Sequence, residues 1–172
     1  MDTREEIRSN RSKEFEGVVK AHWADVFRLG ILMLGDETEA EEIAQQTFFK
    51  AYTAWDSFAG RSSVRTWLFR IAINVCRRTL TVRRRYQGER LEHHIELAHP
   101  ELDPREVQKT EKVRLAFQQL PPPHRLILTL FFIEGMKHQE IATILDVPEG
   151  TVWSRLHKAK QKLKHEFQTM ED

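Results

Sequence analysis

Apolar residues recur at helical spacing along most of the chain, and no stretch alternates as a half-buried β-strand would. The clearest stripes occupy residues 15–34, 40–55, 64–75 and 113–120. Gly35 and Asp36 separate the first two stripes, and Pro121–Pro123 separate two helices in the second half. Because glycine and proline interrupt helices at these places, the pattern predicts an all-α fold.

The periodicity stops after Arg85 and resumes at Asp103-Pro104, a pair that suits the start of a helix. The intervening segment is polar and acidic, and it predicts a flexible linker between two small helical domains. The predicted order is a flexible N-terminal tail, 1–12, a first domain, 13–85, the linker, 86–103, and a second domain, 104–168. Domains of this size bury a limited share of their surface, so partner binding is expected to stabilise them.

The formal net charge of +1 conceals opposite charges along the chain. Residues 36–46 contain acidic but no basic side chains, whereas residues 64–86 contain arginines and no acid. Alternating blocks favour several binding faces over one uniformly basic surface. Surface solvation alone can also produce such charge runs.

Several classes of protein are disfavoured by what the sequence lacks. Cys76 is the one cysteine, which excludes a disulfide framework and a multi-cysteine zinc site. His93, His94 and His99 form a cluster without a nearby cysteine, and there is no glycine-rich phosphate loop or nucleophile motif. We therefore expect no enzyme activity, no metal and no cofactor. No apolar run reaches membrane-spanning length, so we expect no membrane insertion and a cytoplasmic location.

The strongest local motif is HQEIATILDVPEGTVWSRLHKAKQKL, in the second domain. A small residue, Ala142, falls where two helices of a helix-turn-helix cross, Asp146 falls in the turn, and Val152 anchors the second helix. Asp146 stands where glycine is commoner, but aspartate tolerates a left-handed backbone better than most residues. The spacing predicts a DNA-binding helix-turn-helix; an ordinary helical hairpin with a basic, solvated face is the alternative.

On a helical wheel, the second helix of this motif presents small, hydrogen-bonding and cationic groups opposite its core side. The residues predicted to contact DNA are Thr151, Trp153, Ser154, Arg155, His157 and Lys158. Trp153 could cover the sugar-phosphate surface or pack against the neighbouring helix.

The third helix of the first domain carries a second candidate surface. Its core stripe leaves Arg70, Asn74, Arg77 and Arg78 on another side, with Trp67 at the edge. Arginines can follow phosphates, an aromatic ring can stack on a base and an amide can read a base edge, which suits single-stranded DNA. A buried tryptophan beside solvated arginines is the alternative.

These two surfaces lie in segments that resemble a known family. EAEEIAQQTFFKAYTAWDSFAGRSSVRTWLFRIAINVCRR resembles region 2 of bacterial sigma factors, and LPPPHRLILTLFFIEGMKHQEIATILDVPEGTVWSRLHKAKQKL resembles region 4. Their order and separation are similar to those of the extracytoplasmic-function (ECF) group. The resemblance implies an alternative sigma factor that binds core RNA polymerase and directs promoter-specific transcription initiation, while polymerase supplies the catalysis.

The resemblance also implies which residues meet promoter DNA. The third helix and the loop before it would capture a flipped base and the melted strand of the −10 element, and the C-terminal helix would read the −35 element as duplex. The residues implied at −10 are Ser57, Phe58, Arg61, Trp67, Arg70, Asn74, Arg77 and Arg78.

Protein partners follow from the same resemblance. The acidic second helix would meet the clamp helices of the largest polymerase subunit through Glu41, Glu42, Ile43, Gln46 and Phe49, and the polymerase flap is a further expected contact. The third helix also leaves Phe69, Ile73 and Leu80 opposite its predicted core stripe. We hypothesise that these three contact the second domain or an inhibitory anti-sigma factor.

At three positions the chain departs from the family pattern. Gln46 stands where aspartate is usual, Arg78 where an acid is frequent, and Trp153 where lysine is common. Arg78 raises the local positive charge, which favours phosphate contact over a structural ion pair. A different class, a stand-alone helix-turn-helix regulator that replaces no sigma subunit, would explain the second domain but not the arginine-rich third helix.

Overall fold

The computed structural model describes residues 3–87 and 104–169, and every regular element within those ranges is helical. This confirms the predicted all-α fold. The predicted linker, 86–103, lies outside the described residues except at its first two positions. The α-helices are α1 (Thr3–Leu34), α2 (Glu37–Ala54), α3 (Val64–Gln87), α4 (Pro104–Gln118), α5 (Pro122–Leu128), α6 (His138–Leu145) and α7 (Glu149–Gln168).

The chain divides into two compact units. The first comprises Met1–Ile31 with Glu37–Glu89, and the second comprises Leu32–Asp36 with Arg90–Asp172.

Residues 3–12 of the predicted N-terminal tail, 1–12, belong to helix α1, which begins at Thr3. The side chain of Arg11 donates a 2.6 Å hydrogen bond to the carbonyl oxygen of Tyr52 and lies 2.9 Å from the Asp56 carboxylate. The Ser12 and Tyr52 hydroxyls are 3.2 Å apart. Polar contacts therefore join the turn of α1 that contains Arg11 and Ser12 to the end of α2, although this turn carries no apolar stripe.

Helices α2 and α3 form an antiparallel pair. Arg83, near the end of α3, lies 3.1 Å from the carboxylate of Glu39, near the start of α2. At the opposite end the rings of Trp55 and Trp67 are 5.9 Å apart. Ser63 caps α3, because its hydroxyl accepts a 3.1 Å hydrogen bond from the Thr66 amide.

The buried side of α3 is broader than the periodicity predicts. Phe69 and Ile73, which the sequence places opposite the core stripe, are both fully buried. One turn before Phe69, the Arg65 side chain pairs with Asp25 of α1 at 3.2 Å and lies 5.0 Å above the Phe69 ring. The predicted core stripe is wrong in its position on the helix: the fully buried stripe is Leu68, Phe69, Ala72, Ile73 and Cys76, whereas Trp67 and Ile71 are half-buried. Phe69 and Ile73 are therefore unavailable as a contact surface.

The second unit contains the helix-turn-helix, α6 and α7. Its turn begins at Asp146, whose φ of 55° and ψ of 52° are left-handed, and the Val147 amide donates to the Ala142 carbonyl oxygen at 3.1 Å. Val152 and Leu156 of α7 are buried. The sequence predicts the first helix of the motif at roughly His138–Leu145, and α6 agrees with this at both ends.

The apolar run RLILTLFFIEG predicts one largely buried helix that ends at Gly135, whereas α5 ends at Leu128. A π-helical turn occupies Thr129–Ile133, and the Glu134 amide donates to the Thr129 carbonyl oxygen at 2.9 Å. The wider turn rotates Phe132 and Ile133 outward, so that they are 59% and 46% exposed. The largely buried helix predicted here is therefore wrong for these two side chains.

Candidate nucleic-acid interface

The outward face of α7 agrees with the helical-wheel prediction. Ser154, Arg155, His157 and Lys158 are exposed, and Thr151 is half-buried. The Ser154 hydroxyl donates to the Thr151 carbonyl oxygen at 3.0 Å, which leaves its lone pairs free to accept. One helix therefore supplies this entire surface, and its core side keeps the face fixed.

Trp153 is partly exposed on the predicted DNA-facing side and partly packed against the neighbouring helix. It is 58% exposed on α7, and its indole also stacks on the ring of His138, the first residue of α6, at a centroid distance of 3.8 Å and an interplanar angle of 8°. Packing against the neighbouring helix therefore covers one ring face and leaves the rest of the indole open.

The predicted outward side of α3 is also exposed, at Arg70, Asn74, Arg77 and Arg78. Cations and an amide therefore share one accessible side of a helix whose other sides are buried.

Trp67 is half-buried within an aromatic cluster at the start of α3. Its ring lies 4.9 Å from that of Phe58 and 5.9 Å from that of Trp55, and Phe58 stacks on Trp55 at 5.7 Å. The cluster holds the indole against the loop that precedes α3.

That loop contains the remaining residues predicted to meet the melted strand. Ser57 ends a short 3₁₀ turn, and its hydroxyl donates to the Ala54 carbonyl oxygen at 2.7 Å. Phe58 is half-buried in the aromatic cluster, whereas Arg61 is exposed. The structure thus brings Phe58 beside Trp67, while Arg61 projects from the surface.

A groove of about 870 Å³ lies between α2 and α3. It is lined by Gln46, Lys50, Ala54, Trp67, Ile71, Asn74, Val75 and Arg78. Two cations, two amides and an indole thus face one space, and none of these lining residues is acidic. Both departures from the family pattern in this unit, Gln46 and Arg78, lie on this groove.

Most residues predicted on α2 for protein contact are accessible. Glu41, Glu42 and Gln46 are exposed, and Phe49 is 71% exposed. Ile43 is the correction, because it is only 1% exposed and belongs to the core. It points to the opposite side of α2 from Glu41 and Phe49.

Two buried ionisable groups lie away from these surfaces. Burial raises the pKa of the Cys76 thiol to about 12, so the group stays protonated near neutral pH. Burial lowers the pKa of Arg125 to about 10, and its guanidinium donates to the Gln118 carbonyl oxygen at 3.0 Å. Neither group has the accessibility that reaction chemistry requires.

The described ranges contain no cluster of three or more side chains suited to hold a metal ion. The histidines of the predicted linker, His93, His94 and His99, lie outside these ranges. Among the described helices, none combines the length and apolar character needed to cross a membrane.

Two residues of these surfaces were not singled out from the sequence. Lys50 lines the groove from α2, and its spacing of four residues from Gln46 could have placed it on the same side. His138 supports Trp153 across the helix-turn-helix, a contact that no local spacing indicates.

Comparison with protein families gives two matches, one in each half of the chain. Residues 18–86 match the family described as Sigma-70 region 2, and residues 110–163 match Sigma-70, region 4. The RNA polymerase sigma-H factor of Pseudomonas aeruginosa is 31% identical over 180 residues, covering 96% of this chain and 92% of that protein. The ECF RNA polymerase sigma-E factor of Escherichia coli is 31% identical over 144 residues, covering 77% and 75%.

Solved structures show the same fold. The sigma factor RpoE of Bartonella quintana, in complex with the anti-sigma factor NepR, superimposes with a TM-score of 0.72 at 24% identity, covering 91% of this chain and 98% of that one. CnrH, in complex with the cytosolic domain of CnrY, gives a TM-score of 0.65 at 23% identity, with coverages of 90% and 87%.

Proposed function

Because this chain belongs to the ECF group of RNA polymerase sigma factors, alternative sigma factors that direct promoter-specific transcription initiation, we propose how its residues divide that task. The groove between α2 and α3 captures the melted strand of the −10 element. The exposed face of α7 reads the −35 element as duplex, and the outer face of α2 docks on core polymerase. The protein acts as an initiation factor, and the polymerase supplies the catalysis.

The groove is the observation that carries this proposal. Trp67 can stack on an unpaired base, and Asn74 offers an amide to its edge. Lys50 and Arg78 can neutralise the adjoining phosphate, with no acidic lining residue to oppose them. Flipping a base out of the duplex costs a few kcal/mol, and stacking on an aromatic ring returns about 1–3 kcal/mol per base.

The residues around the groove extend the same surface. Arg70 and Arg77 project from α3, and Arg61 projects from the preceding loop, so each can follow the strand beyond the captured base. Ser57 and Phe58 complete the proposed −10 site, Phe58 through its contact with Trp67.

For the −35 element, the geometry of a recognition helix fits α7. Ser154 and His157 lie centrally on its exposed face and can hydrogen-bond base edges in the major groove, while Arg155 and Lys158 can meet phosphates. Thr151 and Trp153 complete the proposed contact set near the start of the helix.

Polymerase docking is assigned to Glu41, Glu42 and Phe49, which α2 presents to solvent, and to Gln46, which is also exposed and lies where this face meets the groove. Phe49 supplies the apolar anchor and the acids supply charge complementarity to the clamp helices of the largest subunit. Ile43 supports this face from the core and makes no contact of its own. The polymerase flap is the second proposed contact.

We further propose regulation by an anti-sigma factor and a cytoplasmic location, where polymerase acts. The relatives RpoE of Bartonella quintana and CnrH were both solved with a bound protein, in the first case named an anti-sigma factor. The likeness of fold supports the same kind of partner for this chain.

The decisive experiment is run-off transcription with core RNA polymerase, this protein and a promoter that it binds in the genome. We expect a transcript from these components alone. If a transcript forms only when another sigma factor is added, the protein is a stand-alone regulator and the proposal is wrong.

A matched pair of variants tests the groove itself. Arg78 lines the groove, and its neighbour Arg77 carries the same charge on the same helix outside it. Losing a charged hydrogen bond to phosphate costs about 1.5–3 kcal/mol, so Arg78→Glu should lower open-complex formation at least about tenfold. Arg77→Glu should lower it less, and equal losses would argue against a role for the groove.

A further inference from the structure

Trp153 is held in place by a stack that spans the helix-turn-helix. Its indole lies flat on His138, with ring centroids 3.8 Å apart. His138 also contacts Phe131 of the π-helical turn, at a centroid distance of 4.9 Å. The indole is therefore supported from α6 and, through His138, from the segment that precedes it.

The support is itself anchored to α7. Phe131 meets Phe132 edge-on at 4.9 Å, and the Lys160 ammonium lies 5.4 Å and 5.0 Å from the centres of these two rings. Lys160 lies two turns after Trp153 on the same helix, so the aromatic turn meets α7 directly at Lys160 and, through His138, at Trp153. This arrangement limits the positions that His138 can adopt.

The role of the His138 ring in this stack is packing. Its Nε2 atom is buried, and no described residue forms a hydrogen bond with it. A ring of similar shape without nitrogen atoms should therefore support Trp153 equally well. An unsupported exposed tryptophan would have to be ordered on binding, which costs about 0.5–1.5 kcal/mol for a side chain of this kind.

The chemistry of the indole indicates what it meets. Trp153 is 58% exposed, and it lies beside His157 at the flank of the face proposed to enter the major groove. It carries no charge for a phosphate, and most of its open surface is apolar. The thymine C5-methyl is the apolar group that base pairs present in the major groove.

We propose that His138 is a positioning residue that holds Trp153 as an apolar reader of a thymine methyl group in the −35 duplex. Trp153 touches the base, and His138 acts through Trp153. This inference rests on the proposed function of α7, and it adds the chemical group that is read and the residue that prepares the reader.

The test uses holoenzyme assembled from core polymerase and the full chain. Promoter duplexes with a randomised −35 element are selected for binding, and each thymine of the selected element is then replaced by uracil, which removes only the methyl group. One replacement should weaken wild-type binding about fourfold, the effect of burying a single carbon group. The same replacement should have no effect on the Trp153→Ala holoenzyme.

Substitutions of His138 separate positioning from general stability. His138→Phe keeps a stacking ring and should retain the fourfold uracil effect. His138→Ala and His138→Gln remove the ring and should reduce that effect to less than twofold. The measured quantity is the ratio of the binding affinities for the thymine and uracil duplexes, which a purely structural role of His138 would leave unchanged. The glutamine variant replaces the alanine variant if the latter does not fold.

Three results would overturn the inference: a selected −35 element without thymine, a uracil effect that persists in Trp153→Ala, or a full effect in both ring-less His138 variants. Failure of the proposed function is distinguishable from these, because holoenzyme would then show no sequence preference at −35 and no transcript.

Discussion

The two DNA-facing surfaces proposed here are built in different ways. The α7 surface comes from one helix, whose exposed side chains follow from the position of its buried ones, Val152 and Leu156. The α3 surface is composite, because the groove needs Lys50 and Gln46 from α2 as well as Trp67, Asn74 and Arg78 from α3. A surface for duplex DNA can thus be a protruding helix, whereas capture of an unpaired base requires walls from two helices.

The variant with the largest expected effect tests whether the groove between α2 and α3 depends on the buried core of α2. Ile43→Ala removes a buried side chain of α2 and should lower the free energy of unfolding by about 2–5 kcal/mol. Open-complex formation should fall with it, because the packing of α2 against α3 shapes the groove. Chemical denaturation measures the first effect and permanganate footprinting the second.

Phe49→Ala is the matched control on the same helix. Because Phe49 is 71% exposed, the free energy of unfolding should change by less than about 0.5 kcal/mol, while affinity for core polymerase falls. Loss of stability in this variant, or an unchanged stability in Ile43→Ala, would reverse the assignment of these residues to surface and core.

A second prediction compares alanine substitutions of the two tryptophans, Trp67 and Trp153. Trp67→Ala should weaken holoenzyme binding to a single-stranded −10 oligonucleotide by about 1–3 kcal/mol, since a base loses its stacking partner. Binding to −35 duplex should stay unchanged. Trp153→Ala should weaken binding to −35 duplex and leave binding to the −10 oligonucleotide unchanged. Fluorescence titration of each variant with each DNA measures these affinities. If either variant loses affinity equally for both DNAs, the two tryptophans do not serve separate promoter elements.

The smallest expected effect distinguishes duplex from single-stranded contact by salt dependence. Each phosphate contact contributes a slope of about 0.9 in log affinity against log salt on duplex DNA, and about 0.7 on single strands. Lys158→Ala should lower the duplex slope by about 0.9, and Arg78→Ala the single-strand slope by about 0.7. Unchanged slopes would place these cations away from phosphates.

The contrast also explains how much could be predicted from the sequence. Periodicity predicted α6 and the outward face of α7, and the residue type at position 146 indicated the left-handed turn. These features depend on local backbone geometry and on one buried stripe. The sequence therefore predicted most of the single-helix surface.

The errors concern contacts between elements distant in sequence. Phe69 and Ile73 are buried because the core stripe of α3 is displaced around the helix from the predicted one, and a wheel drawn for an isolated helix does not show which side its partners cover. Ile43 was assigned to a binding face through a motif match, although its position on α2 is internal. The π-helical turn shifts Phe132 outward by a local change in pitch that a fixed helical period does not contain.

Cys76 has a practical consequence for following these two units during initiation. It is the one cysteine of the sequence, it is buried, and its thiol remains protonated near neutral pH because its pKa is about 12. Maleimide dyes should therefore not react with Cys76. They should label cysteines introduced at exposed sites, for example by Thr81→Cys on α3 and Gln161→Cys on α7. A fluorophore pair on the native background would then report the distance between the two units as a promoter opens.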